Sequence, residues 1–318
     1  MSGGGFPACW QVGDCRITRI IEHESVGGSK FILPGVTREV AHSVPWLAPD
    51  FADDKGRLKM AIQMMVVDSP SGHRIAVDTC VGNHKKRELD VWHMRTGPFL
   101  EDCIAVGIEP ESVTHVLCTH LHTDHIGWNT RLVEGKWVPT FPRARYLFSK
   151  KEYDYWSNGG VAGTGTADEE SLRDSVQPIM DAGLADLVEM DHVLVDEGET
   201  CRIVLRPTPG HSPGHVSLII ESKGARAVIT GDCIHHPVQL ARLDMRSSAD
   251  TDWEEAVRTR ESLLGDLAGT GALLFGTHFA RPTCGCVQRD AATGAFRLDI
   301  AEGLAHVVPL ERRAGAKL

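Results

Sequence analysis

The feature that most constrains this chain is the stretch CTHLHTDHIG at residues 118–127, which places three histidines and an aspartate within six consecutive positions. An apolar run precedes the block and predicts a short strand that ends there. Alternate side chains of a strand share a face, so His120 and His122 should point to one side. The following turn then brings Asp124 and His125 to a neighbouring point. Four such ligands from so short a stretch favour two adjacent metal ions over one.

Further candidate ligands stand where other predicted strands end. His211 lies in TPGHSPGH, Asp232 in ITGDCIHH and His278 in FGTH. Imidazole nitrogens and carboxylate oxygens are good ligands for zinc and similar divalent ions. Their recurrence at separate strand ends predicts a shared metal site.

Strand-like and helical segments alternate along the chain, which predicts an α/β fold with helices covering the sheets. The predicted strands are residues 15–21, 61–68, 74–79, 114–120, 144–149, 201–207, 215–222, 226–232 and 272–278. The clearest predicted helix covers residues 249–268, with Asp250 or Thr251 as its N-cap and Trp253 on its apolar face. We expect residues 1–318 to form a single domain.

Two segments, residues 23–58 and about 156–180, fit this alternation less well and are predicted to be long loops that wall a pocket. The candidate pocket residues are aromatic: Trp46, Phe51, Trp128 and Trp156. A dimer arm is the alternative for the first segment, and a stretch without fixed structure is the alternative for the second.

The charge and hydropathy of the chain limit its partners. A formal net charge of −10 and a pI near 5.9 argue against a nucleic-acid or anionic-membrane surface. No apolar run approaches the ~20 residues of a membrane span, and the N-terminus MSGGGFPACW lacks the features of a secretory signal. We therefore expect a cytoplasmic protein that acts on a small molecule, with no nucleic-acid or membrane partner. The apolar N-terminal loop leaves a homodimer open.

The nine cysteines are odd in number and show no spacing typical of a disulfide-stabilised scaffold, so we expect them to be reduced. Cys284 and Cys286 are predicted to lie in a turn. A redox pair or an adventitious metal contact is the alternative for these two thiols.

The motifs of this chain, and their order along it, resemble those of the metallo-β-lactamase-fold hydrolase superfamily. The match consists of the H-x-H-x-D-H block at residues 120–125, the PGH at His211, the GD at Asp232 and the TH at His278, with an earlier VDT at Asp78. The resemblance implies a four-layer αβ/βα sandwich with two metal ions at one edge of its sheets.

The resemblance also implies a role for each ligand. One ion would be bound by a group of three histidines: His120, His122 and His211. The other would be bound by a second group: Asp124, His125 and His278. Asp232 would bridge both ions, while Asp78 and His215 would orient ligands from behind. Zinc is the expected metal, with manganese, cobalt or iron as alternatives.

The implied reaction is hydrolysis by a hydroxide that bridges the two ions. We expect Asp124, Asp232 and His235 to take part in catalysis, with Asp232 or His235 protonating the leaving group. The best-known quorum-quenching lactonases have a tyrosine at the position of His235, so this residue departs from their pattern.

The expected substrate is a small, mostly apolar ester or lactone, which makes the chain a lactonase or esterase. One alternative is a phosphotriesterase resembling methyl parathion hydrolase. An alternative of a different class is an iron-binding redox protein that uses Cys284 and Cys286.

Overall fold

Short strands and helices alternate along the whole of the described chain. The computed structural model describes residues 8–160 and 169–310. Its strands are β1 (Ala8–Val12), β2 (Cys15–Val26), β3 (Lys59–Asp68), β4 (Arg74–Val77), β5 (His115–Cys118), β6 (Thr130–Val133), β7 (Lys136–Pro139), β8 (Arg145–Ser149), β9 (Ala185–Val188), β10 (Val193–Asp196), β11 (Arg202–Pro207), β12 (Val216–Ser222), β13 (Ala225–Ile229), β14 (Leu273–Phe275), β15 (Cys284–Arg289), β16 (Phe296–Asp299) and β17 (Val307–Val308). Its α-helices are α1 (Arg38–His42), α2 (Phe99–Ala105), α3 (Thr123–Ile126), α4 (Lys150–Ser157), α5 (Glu169–Ser175), α6 (Gln177–Asp181), α7 (Val238–Ala241), α8 (Trp253–Leu267) and α9 (Ile300–Ala305).

Two large sheets contain most of these strands. The first has the order β17-β1-β2-β3-β4-β5-β8-β9, and the second has the order β10-β11-β12-β13-β14-β15-β16. Strands β4, β5, β8 and β9 are parallel neighbours, as are β13 and β14, whereas the other pairs in these sheets are antiparallel. Parallel neighbours end at the same edge of a sheet, so the segments that follow them start side by side.

The two sheets pack face to face, and both faces of the first sheet are buried. Met65 and Val67 of β3 belong to the apolar cluster between the sheets. Met64 and Val66, which alternate with them, belong to an outer cluster that includes Phe99 of α2. A strand buried on both faces reads as a continuous apolar run, which explains the sequence AIQMMVVD.

Helix α8 covers the outer face of the second sheet. Its Leu263, Leu264 and Leu267 are fully buried and share a cluster with Leu274 of β14 and Val287 of β15. With the helices on the first sheet, this completes the four layers that the resemblance implies. Within the described ranges, no helix is both long enough and apolar enough to cross a bilayer.

The start of α8 differs from the sequence prediction. The helix begins at Trp253, and the carboxylate of Asp252, not Asp250 or Thr251, accepts the N–H of Glu255 at 2.9 Å. Trp253 was predicted on the apolar face but is 44% exposed. Asp250 is thus free for a different contact.

All nine cysteines are free thiols and are buried. Cys284 and Cys286 lie on strand β15, not in a turn, and both belong to the apolar cluster between the sheets. Burial raises the pKa of both thiols, to about 11 for Cys286. Thiols in such surroundings are poor nucleophiles and poor metal ligands, which does not favour a redox pair here.

Candidate metal centre

The predicted ligands follow strands that end at one edge of the sandwich. Each lies within a few residues of its strand: His120 and His122 after β5, His211 after β11, Asp232 after β13 and His278 after β14. Asp78, which was predicted to orient a ligand, follows β4 at the same edge. Asp124 and His125 lie on the short helix α3, which follows β5. Beyond the last ladder pair the chain is free to turn, so these side chains can aim at a common point.

Three histidines form the first group. His211 Nε2 lies 3.2 Å from His120 Nε2 and 2.9 Å from His122 Nδ1. The ligand atoms of these residues and of Asp232 all lie within 4.8 Å of one another, and all four residues are buried. Ligands of a tetrahedral zinc ion, at about 2.0–2.1 Å from the metal, lie roughly 3.3 Å apart, which is close to the spacing here.

The second group consists of Asp124, His125 and His278. His125 Nε2 and His278 Nε2 are 3.3 Å apart. Asp124 places Oδ1 3.7 Å from His125 Nε2 and Oδ2 3.6 Å from His278 Nε2. The three ligand atoms lie within 4.8 Å of one another, so this group also has the size of a single ion's ligand set.

Asp232 lies between the two groups. Its Oδ2 is 3.5 Å from His211 Nε2 and 3.8 Å from His120 Nε2. Its Oδ1 is 3.0 Å from His278 Nε2 and 3.4 Å from His125 Nε2. Because each oxygen faces a different group, the carboxylate is arranged as a bridge.

The first group has the protonation state that metal binding requires. Burial lowers the pKa of His120, His122 and His211 well below its usual value. These imidazoles are therefore neutral at pH 7 and have lone pairs available for a cation.

Carboxylates dominate the electrostatics around the second group. Burial opposes protonation of His125, but Asp232 and Asp78 outweigh it and raise its pKa well above the usual value. The same balance, again with Asp232 as the main carboxylate, raises the pKa of His278 to about 9. Within the described residues, Asp232 Oδ1 makes no hydrogen bond of ordinary geometry. The donor types, their spacing and this charge fit two divalent cations.

Carboxylates lie behind two of the ligand imidazoles. Asp78 Oδ2 lies 3.0 Å from His125 Nδ1, and its Oδ1 accepts the N–H of Thr119 at 2.8 Å. Asp250 Oδ1 lies 3.1 Å from His211 Nδ1. Such contacts select the tautomer that leaves the opposite ring nitrogen free for a metal. Asp78 was predicted from the sequence, whereas Asp250 was not, because its position suggested only a helix cap.

A histidine and a carbonyl hold two further ligands. His278 Nδ1 lies 2.9 Å from the carbonyl oxygen of Ala61. His215 Nε2 accepts the backbone N–H of Asp232 at 2.9 Å, and its Nδ1 contacts Thr208 Oγ1 at 2.9 Å. The structure thus places His215 behind Asp232, in the kind of position that the resemblance implies.

His235 is fully buried behind the carboxylate bridge. Its Nε2 lies 3.1 Å from Asp232 Oδ2, and its ring packs against those of His211 and His278. The residue does not line the cavity next to the ligands. This position suits a contact with Asp232 better than a contact with substrate.

A cavity of about 340 Å³ opens beside the two groups. Four of the ligands line it: His122, Asp124, Asp232 and His278. Its remaining walls are largely apolar and include Phe31, Ile32, Met60, Ile62, Leu89, Val91 and Trp92. None of the described lining residues is a lysine or arginine, so the cavity suits an uncharged molecule.

The four aromatic residues predicted for the pocket do not line this cavity. Phe51 is 1% exposed and packs on Phe279, and Trp46 packs against the same apolar cluster. Trp128 donates its indole N–H to Glu22, while Trp156 donates to Glu152. That prediction is corrected, because large aromatic side chains of these loops gain more from burial in the core than from a water-filled cavity.

Besides strand β3, two loop segments contribute to the cavity walls, and only one of them was predicted. Residues 23–58 contribute from His23 to Ile32. Residues 89–92, in a segment between β4 and α2, were not predicted to contribute, although the letters LDVW are more apolar than the surrounding loop. The described part of residues 156–180 does not line this cavity, and residues 161–168 lie outside the described residues.

Comparison with known proteins identifies the family. A sequence profile described as the Metallo-beta-lactamase superfamily matches residues 61–278, which include all seven ligands. The chain belongs to the metallo-beta-lactamase superfamily. The family prediction from the ordered motifs is therefore confirmed.

Relatives in this superfamily include hydrolases of known name. An N-acyl homoserine lactonase from Bacillus sp is 29% identical over 124 residues, which cover 39% of this chain and 39% of the lactonase. The probable metallo-hydrolase YybB from Bacillus subtilis (strain 168) is 28% identical over 172 residues, covering 51% of this chain and 68% of that protein. The chain thus matches about two fifths of the length of the lactonase.

Solved structures share the fold over nearly the whole chain. AidC, a dizinc quorum-quenching lactonase in complex with a product, superposes with a TM-score of 0.70 at 23% identity, covering 92% of this chain and 96% of AidC. Hydrolase AbOPH of the beta lactamase superfamily superposes with a TM-score of 0.72 at 22% identity, with the same coverage. These likenesses confirm the predicted fold class.

Proposed function

We propose that this protein is a dinuclear metal-dependent hydrolase of a small, mostly apolar ester or lactone. The observation that carries the proposal is the position of Asp232, whose two carboxylate oxygens face two separate ligand groups beside an apolar cavity. A single structural ion would need neither the second group nor an adjoining cavity.

The residues divide into two ligand sets. His120, His122 and His211 would hold one ion, and Asp124, His125 and His278 the other, with Asp232 shared by both. Zinc is the proposed metal, since nitrogen and carboxylate donors at this spacing suit it and the lactonase AidC is described as dizinc. When bound, such a pair of ions supplies Lewis-acid activation of a water molecule and of the substrate's carbonyl group.

The side chains around the cavity would orient the substrate and exclude water. Apolar residues such as Phe31, Met60 and Trp92 would hold the acyl part of the substrate with its carbonyl at the ligand groups. Of the two residues considered for proton transfer to the leaving alkoxide, Asp232 lines the cavity and His235 does not. This contrast favours Asp232 over His235 as the group that would carry a proton from the attacking water to the leaving alkoxide, with His235 Nε2 3.1 Å from Asp232 Oδ2.

The uncharged walls support the proposed substrate class. Apart from the proposed ions themselves, the cavity wall has no described lysine or arginine that could pair with an anionic group on the substrate. A neutral lactone, such as an N-acyl homoserine lactone, or a neutral aryl ester needs no such charged partner. A small-molecule partner, a cytoplasmic location and a homodimer stay predictions.

The test combines metal analysis with a substrate screen. We expect two zinc equivalents per chain, and hydrolysis of lactones or aryl esters that chelation abolishes and zinc restores. A nitrophenyl phosphotriester, assayed in parallel, tests the phosphotriesterase alternative. A visible absorption spectrum tests the iron-binding alternative, because zinc is colourless. A fully loaded protein that turns over no lactone or ester would contradict the proposal.

A further inference from the structure

The carboxylate of Glu152 on α4 accepts four hydrogen bonds although the residue is 1% exposed. Its Oε1 accepts the backbone N–H of Leu121 at 3.2 Å and the indole N–H of Trp156 at 2.6 Å. Its Oε2 accepts the hydroxyl of Ser212 at 2.8 Å and the backbone N–H of Gly214 at 2.9 Å. Each oxygen is therefore saturated by two donors.

Three of the four donors belong to the two loops that carry the three-histidine group, and the fourth, Trp156, lies on α4 itself. Leu121 stands between His120 and His122, and Ser212 directly follows His211. One oxygen of Glu152 thus holds one loop and the other oxygen holds the second loop. The distance between the loops is set by a rigid planar group.

The packing of α4 leaves these loops little freedom. A Cβ atom on Gly214 would lie 2.2 Å from the backbone nitrogen of Glu152, so the loop lies directly against the helix. On the other side, the ring of Trp156 contacts the ring of His122 edge-on, with centroids 5.4 Å apart. The indole held by Glu152 therefore also supports a ligand.

We propose that Glu152 is a positioning residue that sets the spacing of His120, His122 and His211 and thereby the affinity of the protein for the ion between them. The proposal rests on the function proposed above. A buried carboxylate is costly to desolvate, and apolar packing could join two loops without that cost. What a carboxylate adds is three directed contacts to the loops, one to the loop at Leu121 and two to the loop at Ser212 and Gly214, and a fourth that fixes Trp156 on its own helix.

The test substitutes Glu152→Gln, which keeps the shape of the side chain but replaces one acceptor oxygen with an NH2 group. The new NH2 group then faces N–H or O–H donors that it cannot accept, so one of the two loops loses its hydrogen bonds to residue 152. We expect the Kd of the zinc ion between the three histidines, measured by chelator competition, to rise by about 10–100-fold. The Kd of the second zinc ion should change far less. Anomalous diffraction at limiting zinc should show occupancy lost first between the three histidines.

Glu22→Gln is the matched control. Glu22 also accepts an indole N–H, from Trp128 at 2.7 Å, and two backbone N–H groups, from Val81 at 2.9 Å and Gly82 at 3.0 Å. None of these three contacts involves the loops around Leu121 or Ser212. This variant should lose thermal stability yet keep the Kd of the ion between the three histidines.

Ser212→Ala, which removes one donor to Glu152, provides a second variant if Glu152→Gln does not fold. It should raise the Kd of the same ion by a smaller factor. An unchanged Kd in the variant that folds, or equal weakening in Glu22→Gln, would overturn the positioning role alone. Wild-type protein with no ion between the three histidines would overturn the proposed function as well. These outcomes separate the two proposals.

Discussion

At the scale of single residues, Asp232 has the most demanding position in the molecule. It lies within 4 Å of five imidazole nitrogens, those of His120, His125, His211, His235 and His278. These contacts and its burial make it an anion held at the meeting point of two otherwise separate ligand groups. The charge of this one side chain should matter more than its volume.

The substitution Asp232→Asn tests this point. Asparagine keeps the volume but removes the negative charge, so both ions lose a shared ligand. We expect kcat/KM to fall by about 100-fold or more, because metal-ion stabilisation of a transition state is worth several kcal/mol. Metal content per chain should fall below two equivalents.

Asp252→Asn is the control for that variant, since Asp252 is an exposed helix cap and asparagine caps helices equally well. It should retain both metal content and activity. If Asp232→Asn also retained both, the carboxylate would not be a bridge.

At the scale of elements, the turn after β13 has a tight steric requirement. Gly231 has φ +54°, and a Cβ atom there would lie 2.6 Å from His215 Nε2 and 2.7 Å from Thr119 Oγ1. Gly231→Ala should lower the free energy of unfolding by about 2–4 kcal/mol, since backbone strain and overpacking add. Urea titration measures the loss. Gly72→Ala, at φ +88° with nothing within 4 Å, isolates the backbone part and should cost about 1–2 kcal/mol.

A buried ion cluster fastens the segment that contributes Leu89 and Trp92 to the cavity. Lys85 Nζ lies 3.1 Å from Asp174 Oδ1, and Arg87 Nη1 lies 2.8 Å from Asp174 Oδ2. Burial lowers the pKa of Lys85 to about 7, and the attraction of Asp174 offsets only part of this effect. Helix α5, which carries Asp174, is thus joined to the cavity wall through a lysine that is costly to keep charged.

The lowered pKa of Lys85 predicts a pH dependence of stability. An unfolded lysine has a pKa of about 10.4, so between pH 7 and that value the unfolded chain binds more protons than the folded chain. The free energy of unfolding should therefore rise with pH in this window, by up to about 1.4 kcal/mol per unit. Urea unfolding at several pH values should show this slope in the wild type and in the exposed-site control Lys55→Met. Its persistence in Lys85→Met would contradict the assignment.

The elements and residues that the sequence predicted share a physical property. Strands such as β3 and β12 are buried on most of their residues, so their apolar runs are visible in the sequence. Short strands such as β6, β7 and β9 were not predicted, because they are largely polar or partly exposed. Strand β15 was mistaken for a turn because of its CGC letters.

The same distinction applies to the candidate site. The seven ligands stand in local motifs, and the structure brings them together. Asp250 and Glu152 act through contacts with loops far away in the chain, and no local pattern marks such a contact. The aromatic residues that line the cavity could not be predicted correctly, because the composition of a loop does not tell which of its side chains face the core.

At the scale of the whole molecule, each proposed ion draws ligands from both sheets. Segments that follow strand β5 of the first sheet contribute His120 and His122 to one ion and Asp124 and His125 to the other. Segments that follow strands of the second sheet contribute the remaining ligands: His211, Asp232 and His278. Metal binding should therefore stabilise the packing of one sheet on the other.

Metal removal tests this coupling. Ligands that bind only the folded state add RT ln(1 + [L]/Kd), which is about 4 kcal/mol at a thousandfold excess over Kd. We expect chelated protein to unfold at a lower temperature and added zinc to restore the original Tm. In Asp232→Asn, the difference in Tm between the chelated and the zinc-supplemented protein should be smaller than in the wild type. A Tm in the wild type that does not respond to chelation would contradict the coupling.

The division of ligands between the sheets has a practical consequence. All first-sheet strands except the two-residue β17 precede residue 189, and the turn after β9 leads into the second sheet at β10. A cut in residues 189–192 would yield two fragments, each with an incomplete donor set for either ion. Divalent metal would then strengthen their reassociation through the apolar cluster between the sheets, which would make the chain a split reporter whose output rises with zinc concentration.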